Sequence, residues 1–237
     1  MATASPSPLP DAPHPAAARR GRPPANATAA GEDMAAARTR LIVDAAYELL
    51  EQGGLEGLTI RAVLTRTGLS RRAFYERFVG KDDLVLAVFE HTILLAAEQF
   101  EGQTTTIPDP LERLRVIVLS IALARGSLDS PDDRESNHPR GAALSREHLR
   151  LAESRPDELQ AALSPLLTLL ARLLADAMES GQVRRARPER LATLVYNLVA
   201  TTVHAQLLAE EAATPDRASR EELAADIWEF CRRAIAA

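Results

Sequence analysis

Leu58-Thr59-Ile60-Arg61-Ala62-Val63-Leu64-Thr65-Arg66-Thr67-Gly68-Leu69-Ser70-Arg71-Arg72-Ala73-Phe74-Tyr75-Glu76-Arg77-Phe78-Val79-Gly80-Lys81-Asp82-Asp83-Leu84 spells two short helices around a tight turn, with a third helix following. Thr59 is an N-cap residue, whose hydroxyl accepts a hydrogen bond from a free first-turn N–H, and Ile60, Val63 and Leu64 follow at helical spacing. Gly68 closes that helix, because glycine enters the left-handed conformation without a Cβ penalty. Ser70 caps a second helix expected over Arg71 to Phe78, and Gly80 caps the next. Phe74 and Phe78 lie four apart and share one face, while Arg71, Arg72, Tyr75 and Glu76 fall on the others. A glycine-containing turn between two helices, the second aromatic inside and basic outside, is a helix-turn-helix, whose second helix enters a DNA major groove. Val63, Gly68, Phe74 and Phe78 are its expected core and turn.

Charge supports that reading once it is split along the chain. The formal net charge is −5, which by itself argues against a nucleic-acid partner. Residues 1–81 nevertheless carry +3 and residues 82–237 carry −8. Between Gly57 and Lys81 there are six basic residues and one acid, Glu76, a local excess suited to neutralising phosphates. The basic residues are 27 arginines and one lysine, Lys81, whose place at a helix N-terminus is opposed by the helix dipole. Its retention in an arginine-rich background hints at a specific use for the compact ammonium.

Working outward from the motif, the pattern stays helical. Leu41, Ile42, Ala45, Ala46, Leu49 and Leu50 recur at three and four, which predicts a helix from Met34 to the Gly53-Gly54 stop. Residues 1–33 hold 7 of the 15 prolines without apolar periodicity and are expected to be a disordered tail. Inside it, Arg19-Arg20-Gly21-Arg22-Pro23-Pro24 is either an arm for a narrow minor groove or a solubilising run. Beyond the motif, apolar stripes predict helices over Lys81 to Phe100, from Leu111 to Ile121, over Ser145 to Ala152, Pro156 to Gly181 and Pro188 to Glu211, and from Arg220, with a loop over Gly126 to Gly141. No strand pattern competes, so the fold class is all-α: tail 1–33, helix-turn-helix domain 34–80, and helical regulatory and dimerisation domain 81–237.

The run Phe74-Tyr75-x-x-Phe78-x-x-Lys81-x-x-Leu84, set within Ala35 to Phe89, resembles the DNA-binding domain of the tetracycline-repressor-like (TetR/AcrR) regulators. The resemblance implies that Arg71, Arg72 and Ala73 meet base edges, where arginine grips guanine O6 and N7 bidentately. It further implies that Thr59, Ser70, Tyr75, Arg77 and Lys81 contact the DNA backbone and fix register without reading sequence. For Tyr75 the competing role is a partly buried aromatic between helices. For Arg61 and Arg66 the residues favour a solvated surface. One departure is Leu64, where the family carries a small alanine between the two helices.

The same resemblance implies a homodimeric repressor on a palindromic operator, released by a small lipophilic or aromatic effector, in the bacterial cytoplasm at the nucleoid. The leucine-rich helix from Pro156 is apolar almost all round, and Leu166, Leu170, Leu173 and Leu174, with Leu194 and Leu198, are the expected dimer interface; a core helix within one subunit is the alternative. Phe89, His91, Phe100, His148 and Tyr196 can line a cavity, although ordinary core or surface positions suit each of them better. A DNA-binding adaptor that senses no ligand is the competing function.

Enzyme signatures are missing from the sequence: no phosphate-cradling glycine loop, no nucleophile elbow and no His-Glu metal helix. No metal or cofactor is expected. The single cysteine, Cys231, forbids an intrachain disulfide and suits a reducing compartment. The longest apolar candidate, Val116 to Ala124, is half the length needed to span a bilayer and is broken by Ser120, so no membrane partner is expected. No apolar signal core opens the chain, which is expected to start near Met1.

Overall fold

A computed structural model describes residues 25–123, 139–211 and 217–237. The basic run at 19–24 and residues 126–138 of the loop expected over Gly126 to Gly141 lie outside the described residues, and the last three residues of that loop are helical. All regular structure among them is helical, apart from one isolated bridge between Val183 and Ala236. The helices are α1 (Ala25–Gly57), α2 (Ile60–Thr67), α3 (Arg71–Tyr75), α4 (Lys81–Thr104), α5 (Pro110–Ala122), α6 (Pro139–Ser154), α7 (Pro156–Glu179), α8 (Pro188–Glu211) and α9 (Arg217–Ile235).

Several boundaries depart from the periodicity. Helix α1 starts at Ala25, inside the segment expected to be a tail, because an alanine-rich stretch has high helix propensity even where it has no apolar face to bury. It is interrupted at Gly54, which takes φ 59° as the double-glycine stop requires. Helix α3 ends at Tyr75, three residues short of Phe78, and α6 starts at Pro139 rather than near Ser145. Proline opens α5, α6, α7 and α8, where its missing N–H would have no intrahelical partner anyway.

Among the described residues, those before Arg38 belong to one unit, in which Asp33 to Ala37 are exposed, and those from Arg38 on form a second. Within the second unit there are two hydrophobic cores. The smaller joins Ile42, Val43, Ala46 and Leu50 of α1, Leu58, Val63 of α2, Phe74 of α3, Phe78, and Leu84, Val85 and Val88 of α4. The larger is built around α7, which packs against α4, α5, α6 and α8. Helix α4 serves both, since Leu86, Phe89, Ile93, Ala97 and Phe100 turn into the larger core.

By length and composition α7 can cross a membrane, with a mean hydropathy of 1.5 over its most apolar window. Its leucines are instead covered by protein. Leu170, Leu173 and Leu174 have no exposed surface and Leu166 is 3% exposed. These four residues, expected at a dimer interface, therefore have no area to offer a second subunit. Of the six interface residues read from the sequence, Leu194 is exposed and Leu198 is half-buried against the core.

Candidate nucleic-acid interface

The turn between α2 and α3 is closed by its own hydrogen bonds. Thr59 Oγ1 accepts from Ala62 N–H at 3.1 Å, and Gly68, at φ 69°, donates its N–H to the Leu64 carbonyl at 3.0 Å. Ser70 Oγ accepts from Ala73 N–H at 3.2 Å. Both hydroxyls thus complete helix starts that would otherwise leave donors unsatisfied. Leu64 lies half-buried against the small core, and its carbonyl takes the bond that closes the turn.

On the inner side, Val63 and Phe74 are fully buried and Phe78 is 5% exposed. The Phe74 and Phe78 rings lie 5.3 Å apart, and Tyr75 meets Phe74 edge-on at the same separation. Tyr75 is nevertheless 54% exposed, so its ring leans on the core while most of its surface stays in solvent. Arg71, Arg72, Glu76 and Arg77 are exposed beside it, and Ala73 is half-buried.

The cations on this surface differ in how they are held. Arg72 Nε donates to Glu76 Oε1 at 3.0 Å, one helical turn along. Arg66 spans to α1, donating to Glu48 at 2.9 Å and Gln52 at 3.1 Å, so it ties α2 to α1 instead of standing free in solvent. Lys81 Nζ donates to the Leu55 carbonyl at 2.9 Å. Arg71 and Arg77 make no such contact among the described residues. Spacing alone exposes the Arg72–Glu76 pair, but the ties of Arg66 and Lys81 cross 14 to 26 residues of chain and leave no sequence signal.

Two features escaped the sequence reading. Val79, just past α3, is 88% exposed, and its N–H donates to Asp83 Oδ2 at 2.9 Å. Asp83 also accepts from Arg155 at 3.0 Å, and Asp82 lies 3.5 Å from Arg150. Arg150 is in turn gripped by Glu147, a carboxylate only 4% exposed, at 2.6 Å.

Of the five residues considered for a cavity, three meet. Phe89, His148 and Tyr196 are all buried; the His148 ring lies 6.4 Å from Phe89 and 5.7 Å from Tyr196, and His148 Nδ1 is 3.5 Å from the Tyr196 hydroxyl. Burial lowers the His148 pKa from its ordinary 6.5, helped by the neighbouring His204, and burial raises that of Tyr196. Both side chains are therefore neutral at neutral pH. His91 stands apart, 3.6 Å from Asp44 and edge-on to Tyr47, and Phe100 is ordinary core. No group of three metal-ligating side chains occurs among the described residues.

Comparison with known proteins bears on both parts of the chain. Residues 42–88 match the model for bacterial regulatory proteins of the tetR family. No curated protein sequence matches significantly. Among solved structures, a TetR-family transcriptional regulator from Pectobacterium atrosepticum is 18% identical with a TM-score of 0.63, over 88% of this chain and 97% of that one. The transcriptional regulator FadR from Bacillus subtilis, in complex with stearoyl-CoA, is 16% identical with a TM-score of 0.58, over 83% and 98%. RolR in complex with resorcinol is 13% identical with a TM-score of 0.63, over 86% and 90%. The structural likenesses carry the fold, and the matched residues are those that build the capped turn and its aromatic core. Residues 42–88 are thus a helix-turn-helix DNA-binding domain of the kind found in bacterial regulatory proteins of the tetR family, carried on a chain whose helical fold is that of solved transcriptional regulators.

Proposed function

We propose that the protein is a dimeric repressor that binds a palindromic operator and leaves it when a small lipophilic or aromatic molecule binds the regulatory half, acting in the cytoplasm at the nucleoid. The domains in this reading are 34–80 for DNA and 81–237 for regulation and dimerisation, with the start of α4 packed into the core of the first. The observation that carries the reading is the outer face of α3, where Arg71, Arg72, Tyr75 and Arg77 stand exposed over buried Phe74 and Phe78. Arg71 and Arg72 are suited to guanine edges and Ala73 to the close approach of a base. Thr59, Ser70, Tyr75, Arg77 and Lys81 lie around them for the phosphates.

A single recognition helix binds weakly, and two related by a two-fold axis reach successive major grooves about 34–36 Å apart. Leu194 on α8 and Phe230 on α9, 57% and 64% exposed on helices that touch each other, supply apolar surface for that pairing. For the effector, the buried His148–Tyr196 pair beside Phe89 offers neutral hydrogen-bonding groups in apolar surroundings. Structural neighbours that hold stearoyl-CoA and resorcinol set the range of ligands to try first.

The test uses a duplex selected from a random pool. Arg71→Ala should relax base preference, losing about 1–3 kcal/mol of discrimination at one position, whereas Lys81→Ala should weaken binding on every sequence and lower the salt slope by about one. Equal losses on all duplexes from both substitutions would contradict the assignment of base-reading and backbone roles.

A further inference from the structure

We propose that Asp83 and Arg155 are positioning residues for DNA binding, their ion pair holding the end of the recognition segment against the corner between α6 and α7. This goes beyond the reading above and needs neither a dimer nor an effector.

Asp83 has two partners, one on each oxygen. Oδ2 takes the Val79 N–H at 2.9 Å, from backbone that leaves α3, and Oδ1 takes Arg155 Nη1 at 3.0 Å. Arg155 is itself fixed. Its N–H donates to the Leu151 carbonyl at 2.8 Å, its carbonyl accepts from Leu159 N–H at 3.0 Å, and its guanidinium also pairs with Glu158. The distance from the end of the recognition helix to the start of α7 is thus bridged by one carboxylate and one guanidinium.

A second link runs beside it. Asp82 faces Arg150 at 3.5 Å, and Arg150 is anchored by bonds of 2.6–3.1 Å to buried Glu147. Two acids in the first turn of α4 already suit the helix dipole, and water would satisfy them in that role. Two arginines reaching in from a different helix and its end are more than that role requires. The recognition helix has only five residues, and between Tyr75 and the start of α4 the one buried side chain is Phe78. Asp83 supplies a restraint one residue further on, at the Val79 N–H, so it sets the angle at which Arg71 and Arg72 are offered to a groove.

Asp83 and Arg155 are 31% and 26% exposed, and pairs this accessible are weak, so the effect on affinity is modest: about two- to fivefold for loss of the pair. The experiment titrates the full-length chain against the selected duplex at several salt concentrations, with thermal unfolding measured alongside. Asp83→Asn keeps a carbonyl oxygen for the Val79 N–H and removes the charge; Arg155→Gln removes the guanidinium; Arg155→Lys keeps a cation. Each of the first two should bind about two- to fivefold more weakly, the double variant no more weakly than either, and Arg155→Lys close to wild type. The salt slope should be unchanged, because no phosphate contact is lost.

Wild-type affinity in the single variants, additive losses in the double, or a reduced salt slope for Arg155→Gln would overturn the proposal. Should Asp83→Asn fail to fold, equal affinities for Arg155→Lys and Arg155→Gln would overturn it. A wild-type chain that binds no duplex would overturn the DNA-binding reading as well, before any variant is compared.

Discussion

Lys81 opens α4, where an ammonium opposes the helix dipole, yet its Nζ reaches the Leu55 carbonyl, just past the interruption of α1 at Gly54. The lone lysine thus has a backbone carbonyl acceptor that offsets the unfavourable dipole. It ties the start of α4 to the end of α1 while its exposed head faces the same solvent as Arg71. His148 shows burial acting in the other direction, since the folded chain disfavours its charged form. An unfolded chain takes up a proton on this imidazole near its ordinary 6.5 that the folded chain refuses. Below that pH the unfolded state binds more protons and stability falls; above it the contribution is constant. Urea unfolding at about pH 7.5 and about pH 5.5 should therefore show wild type losing more stability on acidification than His148→Gln. Equal losses would contradict the assignment of a neutral buried His148.

Single elements separate what sequence reveals from what it conceals. The α2–α3 turn was legible because each step in it is local: a capping hydroxyl, a left-handed glycine, two phenylalanines four apart. Helix α7 was legible as a helix, but its destination was not. A helix apolar on nearly every face suits both a subunit interface and a central core, and periodicity cannot rank them. Packing decides, with Leu166, Leu170, Leu173 and Leu174 enclosed by α4, α5, α6 and α8. In the proposed dimer the interfacial role falls to residues with weaker patterns, Leu194 and Phe230, both exposed. The Asp83–Arg155 pair joins positions 72 residues apart and was equally hidden. Leu170→Ala, which empties a fully buried site, should cost roughly 2–5 kcal/mol in denaturant unfolding. A cost below about 1 kcal/mol, the range of surface substitutions, would place Leu170 outside the core.

Across the whole molecule, two cores share α4, so any shift of that helix moves Phe89 in the larger core together with Leu84 and Val88 in the smaller. A ligand can change DNA affinity only to the extent that it prefers one position of this shared helix. In the proposed dimer, subunits pair through a different surface, so Leu194→Glu with Phe230→Glu should yield a folded monomer in sedimentation equilibrium; an unchanged dimer would move the interface elsewhere. The central claim, that the exposed face of α3 reads DNA as one of a symmetric pair, is tested most directly by selecting bound duplexes from a random pool. The account predicts a palindromic winner with half-sites about 10–10.5 base pairs, one helical turn, apart. Enrichment of no sequence, with only weak salt-sensitive binding, would contradict it.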